Sequence, residues 1–95
     1  MSEFRIEKDS LGEMQVPASA LYGPQTQRAV ENFPVSGRRV NPALIHAYGA
    51  VKLACARTNG ELGFLDGERS GALSQACREM MEGRLDGDII VDALQ

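Results

Sequence analysis

The apolar positions of this chain change period partway along. Near the N-terminus they alternate with polar ones, as Phe4, Arg5, Ile6, Glu7 and again as Met14, Gln15, Val16, which is the two-residue period of extended backbone. Between them lies Asp9-Ser10-Leu11-Gly12, a turn cluster in which Gly12 can take a positive φ. The pattern predicts a small hairpin or a pair of extended arms ended by Pro17, with Ser19 placed to cap a turn over 20–22. Two short strands alone are marginal in water, so they must lie against another element.

From Gly23 onward the period is helical. Pro24 suits a first helical position, Thr26, Ala29, Val30 and Phe33 share a face, and Pro34 stops the helix by biasing Phe33 away from the α region. Asn41-Pro42 is the next start, with Asn as cap and Pro at the first position. Leu44, Tyr48, Val51, Cys55, Thr58 and Leu62 then step by four and three, which predicts a helix of about 20 residues with that series as its buried seam. Ile45 and Ala54 widen the stripe, and Gly63 is placed to end the helix. Gly49 and Gly60 each cost roughly 1 kcal/mol inside a helix, so close packing against another backbone is expected there. Asp66 caps a further helix over about 67–82, with Leu73, Ala76 or Cys77, and Met80 in period and Gly83 as its end.

The last apolar run, Ile89, Ile90, Val91, Ala93 and Leu94, meets no partner in the pattern. It predicts a frayed tail, or one buried against another copy, in a chain that continues beyond Gln95, with a short terminal strand as the alternative. The predicted fold is mostly α: an N-terminal extended hairpin followed by one short and two longer helices.

Composition narrows the class. At 95 residues the chain suits one small domain with a modest core. Charged residues make up 24% with a net charge of −3, and Arg38-Arg39 is the only basic pair, so no nucleic-acid partner is expected. No apolar run approaches the roughly 20 residues of a membrane span, and Met1-Ser2-Glu3-Phe4 leads into no secretory signal. Cys55 and Cys77 have neither zinc-type spacing nor nearby histidines, and are expected as reduced core thiols in a cytoplasmic protein.

Few residues suggest chemistry. His46 is the only histidine and lies off the seam, so a solvated side chain without a metal is expected. Glu79, Glu82 and the carboxylates from Asp86 to Asp92 read as a solvated acidic face, and Gly60-Glu61-Leu62-Gly63 lacks the strand and Lys-Ser/Thr of a phosphate loop. Arg28 is the one candidate binding residue. It stands on the short helix opposite Val30 and could offer a guanidinium fork to a carboxylate, or could tie the hairpin to the helix.

Two strings are far more specific than any of these single residues. They are R-I-E-K-D-S-L-G-E-M-Q-V-P-A at 5–18 and L-Y-G-P-Q-T-Q-R-A-V-E-N-F-P-V-S-G at 21–37. Together they closely resemble the opening of the fumarase/aspartase superfamily, the fumarate-forming lyases. That resemblance implies that residues 1–95 are an N-terminal domain, with the central helical-bundle and C-terminal domains lying outside it. The parent enzyme would be a homotetramer without a cofactor, acting on a C4 dicarboxylate. It would remove the C3 proton of an L-2-substituted succinate and expel water or ammonia through an aci-carboxylate held by preorganised donors.

The family's three signature segments are a Gly-Ser/Ala-Gly-Thr loop leading to Asn-Met-Asn, a Thr-His pair, and a Gly-Ser-Ser loop. None occurs in this sequence, so no catalytic residue is expected within 1–95. D-I-I-V-D-A-L-Q at 88–95 resembles the segment just before the first of them. Ser19 stands where the family usually has Asp, Ile89-Ile90 where it has Phe-Pro, and Ala93-Leu94 where a larger apolar pair is usual. Q-T-Q-R-A, rather than H-T-x-R-A, favours class II fumarate hydratase over aspartate ammonia-lyase. A stand-alone, non-catalytic packing module is the other expectation.

Overall fold

The computed structural model describes residues 3–95. Strands β1 (Phe4–Asp9) and β2 (Gly12–Pro17) are followed by helices α1 (Pro24–Asn32), α2 (Pro42–Glu61) and α3 (Gly67–Met81), and by a 3-10 turn at Asp86–Asp88. The expected hairpin and one short plus two longer helices are all present. The chain divides into two compact units, one of residues up to Val40 with Asp88–Gln95, the other Asn41–Gly87.

In the first unit β1 and β2 pair antiparallel, from Phe4 opposite Pro17 to Asp9 opposite Gly12. Ser10 and Leu11 make the turn. Leu11 donates its N–H to the Asp9 carboxylate, and Gly12 sits at φ +115°, the left-handed side that glycine tolerates. The inner face of the hairpin is unusual in its polarity. Val16 is fully buried, yet Arg5, Glu7 and Asp9 share its side of the sheet while Phe4 and Ile6 face out.

Arg5 explains how that face is satisfied. Its guanidinium donates to the carbonyls of Pro17, Ala18, Ala20 and Tyr22 and to Glu7, all within 3.0 Å. One side chain thus gathers the whole loop between β2 and α1, and so sets where α1 begins.

The second unit is an α2–α3 hairpin. Asn41 accepts from the Ala43 N–H and Asp66 from the Arg69 N–H, each capping its helix as the sequence predicts. Both helices end in the same way. Phe64 N–H returns to Asn59 O and Arg84 N–H to Glu79 O, across Gly63 at φ +80° and Gly83 at φ +85°.

The buried seam of α2 is not the one its large apolar residues predict. Leu44, Tyr48, Val51 and Leu62 are 53–64% exposed, and Cys55 is exposed as well. Ile45, Gly49, Leu53 and Ala56 are buried instead, facing Ser74 and Cys77 of α3. The cause is close approach: a Cβ on Gly49 would lie 3.0 Å from Met81 N and 3.1 Å from Cys77 O. Helices this near admit only a small residue at the crossing point, so the face that carries Gly49 turns inward and takes Ile45, Leu53 and Ala56 with it. Of the two expected core thiols, only Cys77 is one.

Candidate functional site

The short helix α1 places the one candidate binding residue. Arg28 projects from α1 to the hairpin turn, where its Nε donates to Asp9 Oδ2 at 2.8 Å and one Nη to Gly12 O at 3.0 Å. Both partners are shielded: the Arg28 side chain is 20% exposed and that of Asp9 7%. The hydrogen bond from Arg28 holds the Asp9 carboxyl below its usual range, and Asp9 in turn raises the arginine.

The same pair borders an open cavity of about 410 Å³ whose polar wall includes Gln25, Asn32 and Ser10. Arg28 Nη1 has no hydrogen-bond partner among the described residues. This edge could accept one carboxylate oxygen, although Asp9 already neutralises much of its charge. Besides Asp9, which Arg28 holds as an ion pair, the wall carries the Ser10 hydroxyl, which is hydrogen-bonded to no base among the described residues. The arrangement presents a guanidinium edge beside an open, polar-walled cavity.

A second arrangement was not legible as a site. Asp92 is 7% exposed, and its carboxylate accepts from Ser36 N–H and Oγ at 2.7 Å each, Gly37 N–H at 3.1 Å and Leu94 N–H at 2.9 Å. The Leu94 N–H and then the Ser36 hydroxyl lower its pKa, against burial. Arg39 and Asp92 also form an antiparallel bridge, with Ala93 N–H donating to Arg38 O. The expected solvated carboxylate is therefore a buried clasp, and the expected frayed tail is pinned across residues 36–39. Asp88 accepts from Leu21 N–H, another carboxylate with a structural partner.

His46 is half-exposed and not simply solvated. Its Nε2 lies 3.1 Å from both Asp86 oxygens. Among the described residues no helix is long and apolar enough to cross a membrane.

The chain is 50% identical over 93 residues to the class II fumarate hydratase of Corynebacterium glutamicum, covering 98% of this chain and 20% of that one. It is 50% identical over 96 residues to that of Halobacterium salinarum, again 20% of the relative. Among solved structures, a fumarate lyase:delta crystallin from Brucella melitensis superposes with a TM-score of 0.84 at 41% identity, over 95% of this chain and 20% of that one. The class II fumarase of Schistosoma mansoni gives 0.83 at 33% identity, over 94% of this chain and 19% of that one. No family model matches. The chain spans about a fifth of the length of the curated relatives it matches.

Proposed function

We propose that this chain, in sequence and in fold an N-terminal domain of the fumarase/aspartase superfamily, serves a class II fumarate hydratase. The observation that carries this is the 50% identity to the Corynebacterium glutamicum enzyme over 98% of the chain. In that reaction the C3 proton of L-malate is removed, the C2–O bond breaks, and water leaves as the double bond of fumarate forms. Aspartate ammonia-lyase, which expels ammonia instead, and a free-standing packing module are not favoured.

The domain's part in that chemistry is to bind and position. Arg28 is its candidate substrate-facing residue: a partly shielded guanidinium with one unpartnered edge suits a carboxylate of a C4 dicarboxylate. We assign no base, nucleophile, cofactor or metal ligand to residues 1–95. On this reading the domain functions within a longer enzyme, cytoplasmic and homotetrameric, and the 95-residue chain alone is inactive.

A chimera tests the reading. This chain replaces the matching segment of the Corynebacterium glutamicum enzyme, and loss of the fumarate double bond is followed by absorbance, with and without ammonia. Enzyme-proportional hydration that ammonia does not enhance is expected. A folded chimera that is inactive, or that adds only ammonia, would overturn it.

A further inference from the structure

The α2–α3 unit carries a feature unrelated to the Arg28 site. Beside the second close approach of the helices, where a Cβ on Gly60 would lie 2.5 Å from Ser70 Oγ, an open cavity of about 570 Å³ is lined by the last turns of α2 and by α3 from Gly67 to Arg78. Its wall holds Arg57 and Arg78, Ser70 and Ser74, and one carboxylate, Glu61. Three features set it apart from a surface dent.

The first is Ser74. The residue is 7% exposed, faces this cavity, and its hydroxyl makes no hydrogen bond among the described residues. Its oxygen is not sealed off either, since no buried side-chain polar atom lacks a partner. A hydroxyl sunk in a helix interface yet left open to a cavity is ready to donate to a ligand.

The second is charge. Arg69 and Arg84 have carboxylate partners within 4.0 Å, whereas Arg57 and Arg78 have none among the described residues. Two unpaired guanidiniums thus face one carboxylate, and they carry the positive balance, because the N-terminal end of α3 at Gly67 is offset by the C-terminal end of α2 at Gly60 and Glu61 on the same wall.

The third is space. A Cβ at Gly67 or Gly71 would meet nothing within 4 Å, so glycine leaves the α3 side of the cavity unfilled. Ser70 is committed elsewhere, its Oγ pointing to Ala56 O at 3.5 Å.

We propose that this cavity is a binding site for a small oxyanion, a carboxylate or a phosphate group. The anion accepts from the Ser74 hydroxyl while Arg57 and Arg78 close on it from the two helices, and Glu61 at the wall keeps the affinity modest. The lyase reading is not needed for this site, because every residue invoked lies in the α2–α3 unit.

The test is a titration of the 95-residue chain with sodium phosphate and, separately, sodium acetate. Amide shifts are followed by NMR at fixed ionic strength, with sodium chloride as the control. Saturable shifts centred on Gly60, Ser70, Gly71 and Ser74 are expected in the millimolar range. Ser74→Ala, Arg57→Gln and Arg78→Gln should each weaken binding roughly tenfold, the value of one charge-assisted hydrogen bond. Glu61→Gln should tighten it, and Arg28→Ala should leave it unchanged. Saturation by phosphate alone or by acetate alone supports the site and names its ligand. Shifts that chloride reproduces, or that survive both arginine substitutions in folded variants, would overturn it. So would loss of binding in Arg28→Ala, which places the anion in the other unit.

Discussion

Ser36 gives both its hydroxyl and its backbone N–H to Asp92, 56 positions further along the chain, at 2.7 Å each. Gly37 adds a further long-range donor and Leu94 a local one, so three of the four hydrogen bonds to the carboxylate exist only in the folded arrangement. Asp9 is in a comparable position beneath Arg28.

Both carboxyls have folded pKa values below the ordinary one. The unfolded chain therefore binds their protons more tightly, and acid favours unfolding. Their stabilisation is complete above the unfolded value of about 3.9 and disappears as pH falls through the lower folded values. Melting temperature should thus be insensitive to these groups near neutrality and fall below about pH 4. Asp92→Asn should lower the melt at neutral pH and show a shallower acid limb. Amide exchange at Ser36, Gly37 and Leu94 should quicken in the variant. Equal acid limbs in the two proteins would rule out the clasp as a stabilising element.

Gly49 should behave against helix propensity. An alanine in mid-helix ordinarily gains up to about 1 kcal/mol over glycine. Here the new methyl would meet Met81 Cγ at 2.9 Å and two backbone atoms of α3 at 3.0 and 3.1 Å. Overpacking of this kind typically costs about 1–3 kcal/mol, so Gly49→Ala is expected to be a net loss. Gly71→Ala, with nothing within 4 Å, should instead stabilise by about 0.5–1 kcal/mol. Chemical denaturation of the two variants checks the contrast, and a stabilised Gly49→Ala would mean the helices are further apart than the structure places them.

The core of α2 is tested by exchanging roles between neighbours. Val51 is 61% exposed and Ile45 3%. Val51→Asp should change stability by no more than about 0.5 kcal/mol, whereas Ile45→Ala should lose about 2–5 kcal/mol. A Val51→Asp chain that unfolds would restore the large-residue seam.

That exchange also marks what the sequence could and could not reveal. Helix ends were legible because their signals are local: the Asn41 and Asp66 side chains, Pro42, and the backbones of Gly63 and Gly83 act within their own few residues. The packing face was not, because periodicity counts large apolar side chains while the orientation of this helix is set by a small residue at the crossing point. Gly49 was the available clue, since its expected close approach to another backbone is what turns Ile45, Leu53 and Ala56 inward. Ser74 and Asp92 escaped for a related reason. A serine or aspartate shows nothing in sequence of whether folding will bring it water or a partner, and Asp92 finds Ser36 only through the return of the tail. Arg5 likewise reads as one polar position in an alternating strand, although its carbonyl partners run from Pro17 to Tyr22.

Arg28 has a structural bond and, on the proposed function, a binding edge, and the two can be separated. Its Nε and one Nη are occupied by Asp9 and Gly12, which ties the helix α1 to the hairpin turn. Arg28→Ala should therefore lower the melting temperature of the 95-residue chain, and a melt alone cannot reveal any contact with substrate. Asp9→Asn is the control, because it removes the ion pair and leaves the guanidinium in place. In the chimera with the Corynebacterium glutamicum enzyme, Arg28→Ala should reduce kcat/KM for fumarate per folded molecule by about tenfold or more, the value of one charge-assisted contact. Asp9→Asn should reduce it much less, even where the two variants melt alike. Freed from its neutralising partner, the arginine of Asp9→Asn should also hold a dicarboxylate at least as tightly, visible as an unchanged or lower KM. Matching losses of kcat/KM in the two variants would show that Arg28 serves only to hold the hairpin on the helix.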